Sequence, residues 1–348
     1  MDISISLPPG IDALQDYEQL YDALLTSLAS IEDDLADALV YADRLAHATT
    51  RHLLSAGGKR VRPIVTVLSS MLADEHVSSG MVAEPNENIH KVAVALELTH
   101  LATLYHDDVM DEADQRRGVT AVHQQWSNSI AILAGDLIFA RASAEMSTLG
   151  TRAVTKHAET FEKLVMGQLW ETVGPDADDD PLEHYLRVID GKTASLLAAS
   201  AYLGALLAGG SEELIEIATA YGGNVGMAFQ LADDIIDVTS PSDTSGKVQG
   251  TDLKERVETL PVLLLREAAR QGDADAVEAL KFVDGPLDTD EQLQRAVQAV
   301  ATHEIIERAW ELTEQWAKKA TDALDRLNDS PVKTALQLFA GYVVSREF

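Results

Sequence analysis

Apolar residues recur every three or four positions along most of the chain. The pattern is plainest in LYDALLTSLASIEDDLADALVYADRLA (Leu20–Ala46), IHKVAVALELTHLATLYHDD (Ile89–Asp108) and ELIEIATAYGGNVGMAFQLADDIID (Glu213–Asp237). That spacing puts the apolar side chains on one face of an α-helix. Alternating β-branched runs bounded by hairpin turns are missing, so the pattern predicts a chain that is nearly all helix. The breaks are polar and irregular: Ala73–Asn88, Gly174–Pro181, Ser240–Asp252 and Val283–Gln292. None is a long low-complexity linker and composition does not shift across any of them. One large helical domain over residues 1–348 is the economical expectation.

Composition narrows the chemistry. The 348 residues are 46% hydrophobic, enough for a substantial core, and hold no run apolar enough to span a bilayer. The opening MDISISLPPG lacks the charged-then-apolar pattern of a secretory signal, so a cytoplasmic protein is expected. No cysteine is present, which excludes disulfides, thiolate nucleophiles and thiolate metal ligands. The formal net charge of −30 argues against a nucleic-acid partner. Against that background the few basic clusters stand out: Lys59, Arg60 and Arg62 in GGKRVRP, and the adjacent Arg116 and Arg117. An acidic chain with local basic clusters suits an anionic ligand. GGKRVRP itself reads as a flexible turn followed by a helix begun at Pro63.

The stretch LATLYHDDVMDEADQRRG (Leu101–Gly118) masses acid at the end of an apolar helix and then turns basic. Asp107 and Asp111 share a helix face, with Asp108 about 100° around it. Asp233, Asp234 and Asp237 repeat the same one-then-three spacing more than a hundred residues later. Like charges so close destabilise a helix unless a cation offsets them. Carboxylates without His or Cys partners favour Mg²⁺, which shares its shell with water and substrate phosphates. The alternative, two solvated helix ends, accounts poorly for two triplets of identical spacing in apolar surroundings. The run Asp178–Asp180 lies in a Gly/Pro-bounded loop and reads as solvated surface.

These stretches resemble the trans-type polyprenyl diphosphate synthases, the polyprenyl synthetase family, in the manner of a long-chain bacterial member. DDVMDEADQRRG resembles the first aspartate-rich motif and DDIID the second, and the likeness runs from GGKRVRP to Thr259–Pro261. The resemblance implies an all-α bundle of the isoprenoid synthase type around a central cavity, and a homodimer. It implies Mg²⁺, with Mn²⁺ as a substitute, held by Asp107, Asp108, Asp111, Asp233, Asp234 and Asp237. Lys59, Arg62, His100 and Arg117 match the family's isopentenyl diphosphate ligands, and Arg116 its contact to the allylic diphosphate. Lys192 and Gln230 match residues that assist the allylic group, with Thr193 near the reacting carbons and Lys247 on a closing loop. Asp107, Asp111, Lys192 and Arg116 are thereby the expected catalytic groups. One position departs: the family's loop lysine is Val257 here, preceded by Arg256, which could supply the charge instead. Arg60 is expected to face solvent.

The implied reaction is head-to-tail prenyl transfer. Charge growing on the departing diphosphate is stabilised, the double bond of isopentenyl diphosphate attacks the allylic cation, and a proton leaves to the released pyrophosphate. Apolar helices exclude water. The tail is expected to run back along the first helix past Thr103 and Ala102, then Thr99 and Leu98. Small residues at the nearest turn predict an open channel and a long product, for quinone side chains, with Tyr105 pointing away. A geranylgeranyl diphosphate synthase and a non-catalytic regulatory subunit are the alternatives. A terpene cyclase fits DDIIDVTSP poorly, and a metal-binding scaffold leaves both basic clusters unexplained. Membrane contact is expected only through the product.

Overall fold

The periodic stretches fold into packed helices in the computed structural model, which describes residues 16–73, 85–240 and 249–345. In chain order these are α1 (Glu18–Ala38), α2 (Arg44–Ser55), α3 (Val61–Met71), α4 (Glu87–Met110), α5 (Val122–Gln125), α6 (Asn128–Ser147) and α7 (Thr151–Val173). Then come α8 (Pro181–Ile189), a π-helical turn at Asp190–Ala194 that runs into α9 (Ser195–Leu207), and α10 (Glu212–Thr239). Six further helices, Thr251–Lys254, Leu260–Arg270, Ala274–Val283, Asp290–Ala301, Ile305–Ala323 and Pro331–Val344, complete the bundle. Among the described residues no helix is long and apolar enough to cross a membrane.

The polar breaks work as helix caps, because the first amides of a helix lack intrahelical acceptors. Asp180 ends the Gly174–Pro181 break by accepting from Leu182 N and Glu183 N at 2.9 Å, so one member of that acidic run is a cap. Asn86 starts α4 in the same way, and Thr289 forms a full capping box with Gln292.

One local expectation is corrected. The helix after GGKRVRP begins at Val61, not Pro63; proline is tolerated in the first turn, where its missing N–H would have had no partner anyway. Beyond the end of α4, Arg116 lies in a two-residue hairpin, Gln115–Arg116 against Val119–Thr120. Its turn residues Arg117 and Gly118 both have positive φ (53° and 75°), the conformation of the tight turns that match strand twist.

Packing centres on α4, α9 and α10. Buried Ala228 and Ala232 of α10 join the core that includes α1 and α4, while Leu231 and Ile235 join a second core with the C-terminal helices. Trp310 and Trp316 border both cores. The buried Tyr221 hydroxyl donates to Leu336 O at 2.7 Å, tying α10 to the last helix. α9 lies so close to α3 that a Cβ on Gly204 would collide with Thr66 O. Backbone cannot yield as a flexible side-chain end can, so Gly204→Ala should destabilise by about 1–3 kcal/mol in urea unfolding. On α10, a Cβ at Gly223 would meet only Ala198 Cβ at 3.8 Å. Gly223→Ala should therefore stabilise by up to about 1 kcal/mol through helix propensity. Equal effects from the two substitutions would contradict this packing.

Candidate active site

α4 is largely buried, and His100, Thr103, Leu104 and Asp107 form a half-buried stripe along one of its faces. Asp111 caps the helix C-terminus, its N–H donating to Asp107 O at 2.8 Å, so the four-residue spacing survives to the helix end. Asp108 points the other way and is 1% exposed. Its Oδ1 accepts from Arg116 Nε at 2.6 Å, while its buried Oδ2 has no hydrogen-bond partner. The hairpin folds Arg116 back onto α4 for this contact. Arg117 diverges to the opposite side, where Nη1 donates to Leu53 O at 3.2 Å and to Gly57 O.

On α10, Asp233 is half-buried and Asp234 is buried. Both oxygens of Asp234 are taken: Tyr185 donates its hydroxyl to Oδ2, and Gln230 Nε2 donates to Oδ1 at 2.8 Å. Thr193 Oγ1 donates in turn to Gln230 Oε1 at 2.9 Å. The Asp237 carboxylate accepts from Thr251 N and Asp252 N, each at 3.2 Å, and so starts the short helix Thr251–Lys254. Lys192 and Thr193 lie on the π turn. A Cβ on Gly167 of α7 would be 2.5 Å from Lys192 N, so glycine there permits α7 to close on the turn. Lys192 Nζ reaches Glu171 of α7.

Charge balance follows from this geometry. Burial raises Asp107 to about 6, with Asp111 and Glu171 adding to the rise and Lys192 opposing it. Asp111 is raised by burial and by Glu171, again against Lys192. Burial also pushes Asp234 upward despite the hydrogen bonds from Tyr185 and Gln230. Lys192 stays raised because Asp107 and Glu171 outweigh its burial. Glu255 adds a further carboxylate that feels Asp111, Arg116 and Asp237. The donor set fits a hard divalent cation: it is oxygen only and carries excess negative charge. Among the described residues no three His, Asp or Glu side chains converge closely enough to hold an ion by themselves.

A basic cluster occupies the other side. Burial and Arg117 lower Arg62 to about 10, against the pull of Glu97. Burial, then Arg62, Arg117, Arg116 and Arg60, hold His100 well below its ordinary pKa, so the imidazole is neutral at pH about 7. Lys59 Nζ lies 5.8 Å from the centre of the Phe229 ring. Arg60 does not face solvent, contrary to the sequence expectation. It is buried, and its Nε and Nη2 each donate to Glu32 at 2.6 Å. Arg256 cannot replace the missing loop lysine, because its guanidinium donates to Val283 O at 2.7 Å and Gly285 O at 2.6 Å. Lys247 lies outside the described residues.

The three expected chain-length residues separate. Thr103 is on the open stripe. Ala102 is covered by α6, its carbonyl 3.2 Å from where a Gly135 Cβ would be. Thr99 is buried, with Oγ1 at 2.8 Å from His157 Nε2 of α7. His157 and Phe161 flank Phe139, the two phenyl rings stacked at 3.9 Å. Beside them is an apolar cavity of about 330 Å³ between α6 and α7, lined also by Met146 and Val154. Tyr105 points away as expected, its hydroxyl donating to Thr49 O at 2.6 Å.

Sequence reasoning passed over Glu171, Tyr185 and Glu97. Glu171 and Tyr185 lie on helices without any acidic or basic cluster. Glu97, three residues before His100, was legible only as a charged residue inside an apolar run.

The polyprenyl synthetase family profile matches residues 43–300. A nonaprenyl diphosphate synthase of Mycobacterium tuberculosis is 40% identical over 324 residues, 93% of each chain. Component 2 of a heptaprenyl diphosphate synthase of Geobacillus stearothermophilus is 36% identical, over 94% of this chain and 98% of that one. The crystal structure of a geranylgeranyl pyrophosphate synthase of Corynebacterium glutamicum, complexed with calcium and isoprenyl diphosphate, superposes with a TM-score of 0.80. It is 41% identical and covers 94% of this chain and 97% of that one. Matched by the family profile over most of its length, and by relatives and a solved structure of 36–41% identity over nearly the whole chain, this protein belongs to the polyprenyl synthetase family.

Proposed function

We propose that this chain condenses isopentenyl diphosphate head-to-tail onto an allylic diphosphate, giving a long-chain all-trans polyprenyl diphosphate for quinone side chains. The observation that carries the reading is the stripe of α4, with carboxylates at one end and a cluster of guanidinium groups beside it. Asp107, Asp111 and Asp233 would hold Mg²⁺, or Mn²⁺ in its place. When bound, the cation supplies charge stabilisation to the departing diphosphate. Asp108, Asp234 and Asp237, engaged by Arg116, by Tyr185 with Gln230, and by the start of Thr251–Lys254, act by fixing the positions of the groups around them.

Lys192 and Arg116 meet the oxygens of the allylic diphosphate, Gln230 assists the allylic group, and Thr193, which donates to Gln230, lies near the reacting carbons. Cleavage of the allylic C–O bond leaves a cation. The double bond of isopentenyl diphosphate attacks that cation while Lys59, Arg62, His100 and Arg117 hold its diphosphate. A proton then leaves to the released pyrophosphate. The neutral state of His100 suits a hydrogen bond to a phosphate oxygen. Water is kept out by the apolar walls. Thr103 leaves the first turn open, and the cavity beside Phe139 and Phe161 supports room for a long tail.

The protein is read as one cytoplasmic domain that pairs with a second copy of itself. Exposed Ile132, Leu133 and Leu137 on α6, and Val165, Met166 and Leu169 on α7, support that dimer, since soluble monomers rarely show apolar faces of this kind. Membrane contact comes through the product alone.

Incubation with isopentenyl diphosphate, farnesyl diphosphate and Mg²⁺, followed by dephosphorylation and mass spectrometry, tests the reaction. A ladder ending beyond geranylgeranyl is expected, with turnover at least about a hundredfold lower in Asp107→Ala. Absence of condensation with any allylic primer would overturn the enzyme reading in favour of a non-catalytic subunit. Thr103→Phe should shorten the product by closing the stripe, and an unchanged ladder would remove Thr103 from the tail route. Leu133→Glu with Leu169→Glu should give monomers in light scattering, whereas an intact dimer would place the interface elsewhere.

A further inference from the structure

Three guanidinium groups cluster where the proposed isopentenyl diphosphate site lies, and a buried acid lies among them. Glu97 of α4 is 3% exposed, one turn before His100 on the same helix face. Its Oε1 accepts from Arg60 Nη1 at 3.3 Å. Arg60 and Arg117 approach each other across Gly58: a Cβ on that glycine would lie 2.7 Å from Arg60 Nη1 and 3.2 Å from Arg117 Cζ. Two groups remain buried without hydrogen-bond partners, Glu97 Oε2 and Arg62 Nε. A buried like-charged cluster is strongly unfavourable unless an opposite charge sits inside it. Glu32 occupies the outer edge of Arg60, which leaves Glu97 as the carboxylate on the inner side.

We propose that Glu97 is a positioning residue of the isopentenyl diphosphate cradle, a buried countercharge that keeps Arg62 and Arg117 gathered toward one diphosphate. The inference rests on the prenyl-transfer reading given above. Glu97 touches no substrate in this account; it acts through the arginines.

The charges facing Arg62 are Glu97 from α4 and Arg117 from the hairpin. Those facing Arg117 are Glu97, Arg60, Arg116 and the Tyr105 hydroxyl. His100 stands beside them and feels Arg62, Arg117, Arg116 and Arg60, and Glu32 reaches Arg60 from α1. Burial disfavours the charged form of Arg62, and Glu97 is the group that opposes this. Without Glu97 the gathered guanidinium groups repel one another uncompensated, and their grip on a diphosphate weakens.

The test is calorimetric titration with isopentenyl diphosphate at pH about 7, without added divalent cation. Glu97→Gln keeps the shape and an oxygen for Arg60 while removing the charge. Its affinity for isopentenyl diphosphate should fall by roughly tenfold. Affinity for a thiolo analogue of farnesyl diphosphate should change less than about twofold. Unchanged affinity, or equal losses for both ligands, would reduce Glu97 to a packing residue. Should Glu97→Gln fail to fold, Glu97→Asp, which keeps the charge but withdraws it by one methylene, should lose less but with the same ligand selectivity; no selective loss would overturn the proposal. Failure of the unaltered protein to bind isopentenyl diphosphate would instead sink the prenyl-transfer reading, and this inference with it.

Discussion

The structure depends on keeping two opposite concentrations of charge close together without letting them cancel. Asp107, Asp111 and Glu171 gather at the end of α4 around one cation, Lys192. Arg60, Arg62 and Arg117 gather a short way along the same helix around Glu97. If the side chains were free to move, Coulomb attraction would collapse the two sets into ion pairs. One such pair does form, Asp108 with Arg116, where the sets meet. The others are held apart because each group is tethered by its own backbone element. Arg117 is fixed by the carbonyls of Leu53 and Gly57, and Lys192 by a π turn locked against Gly167.

That restraint explains the shape of the bundle. α4 must be buried on most of its surface to support charged groups on the remaining stripe, so it carries an apolar residue or a small one almost everywhere else. α9 meets α3 at Gly204, and α7 meets the π turn at Gly167 and Gly191; glycine at these crossings allows backbone to approach backbone. The rigid walls give the site its preorganisation, and the energy for it comes from apolar burial remote from the chemistry. The raised pKa of Asp107 is the visible sign of that strain: it is a carboxylate kept from water in advance of its partner.

Much of this was legible from residue spacing. The helices, the polar breaks and both aspartate clusters follow from three-and-four periodicity and from acid placed inside apolar runs. What spacing could not show was which oxygen each carboxylate leaves free. Asp107 and Asp108 are neighbours in sequence, yet one is half-buried and the other is buried against Arg116. Asp234 loses its oxygens to Tyr185 and Gln230, and Tyr185 comes from a helix with no motif. Arg60 and Arg256 read as plain surface or loop charges; both are consumed by partners distant in sequence, Glu32 in one case and the carbonyls of Val283 and Gly285 in the other. The hairpin that separates Arg116 from Arg117 was written in Arg117–Gly118 before Val119, but a two-residue turn beside a helix end is a weak signal without tertiary context.

The central claim is that the carboxylates of α4 and α10 form a cation site that a diphosphate completes. Electron paramagnetic resonance of Mn²⁺ titrated into the protein, with and without a thiolo analogue of farnesyl diphosphate, addresses it most directly. Among the described residues no three acidic or histidine side chains converge closely enough to hold an ion alone, so tight Mn²⁺ binding is predicted to appear only with the analogue and to disappear in Asp107→Ala with Asp233→Ala. Equal Mn²⁺ binding with and without the analogue, or binding that survives both substitutions, would contradict the account.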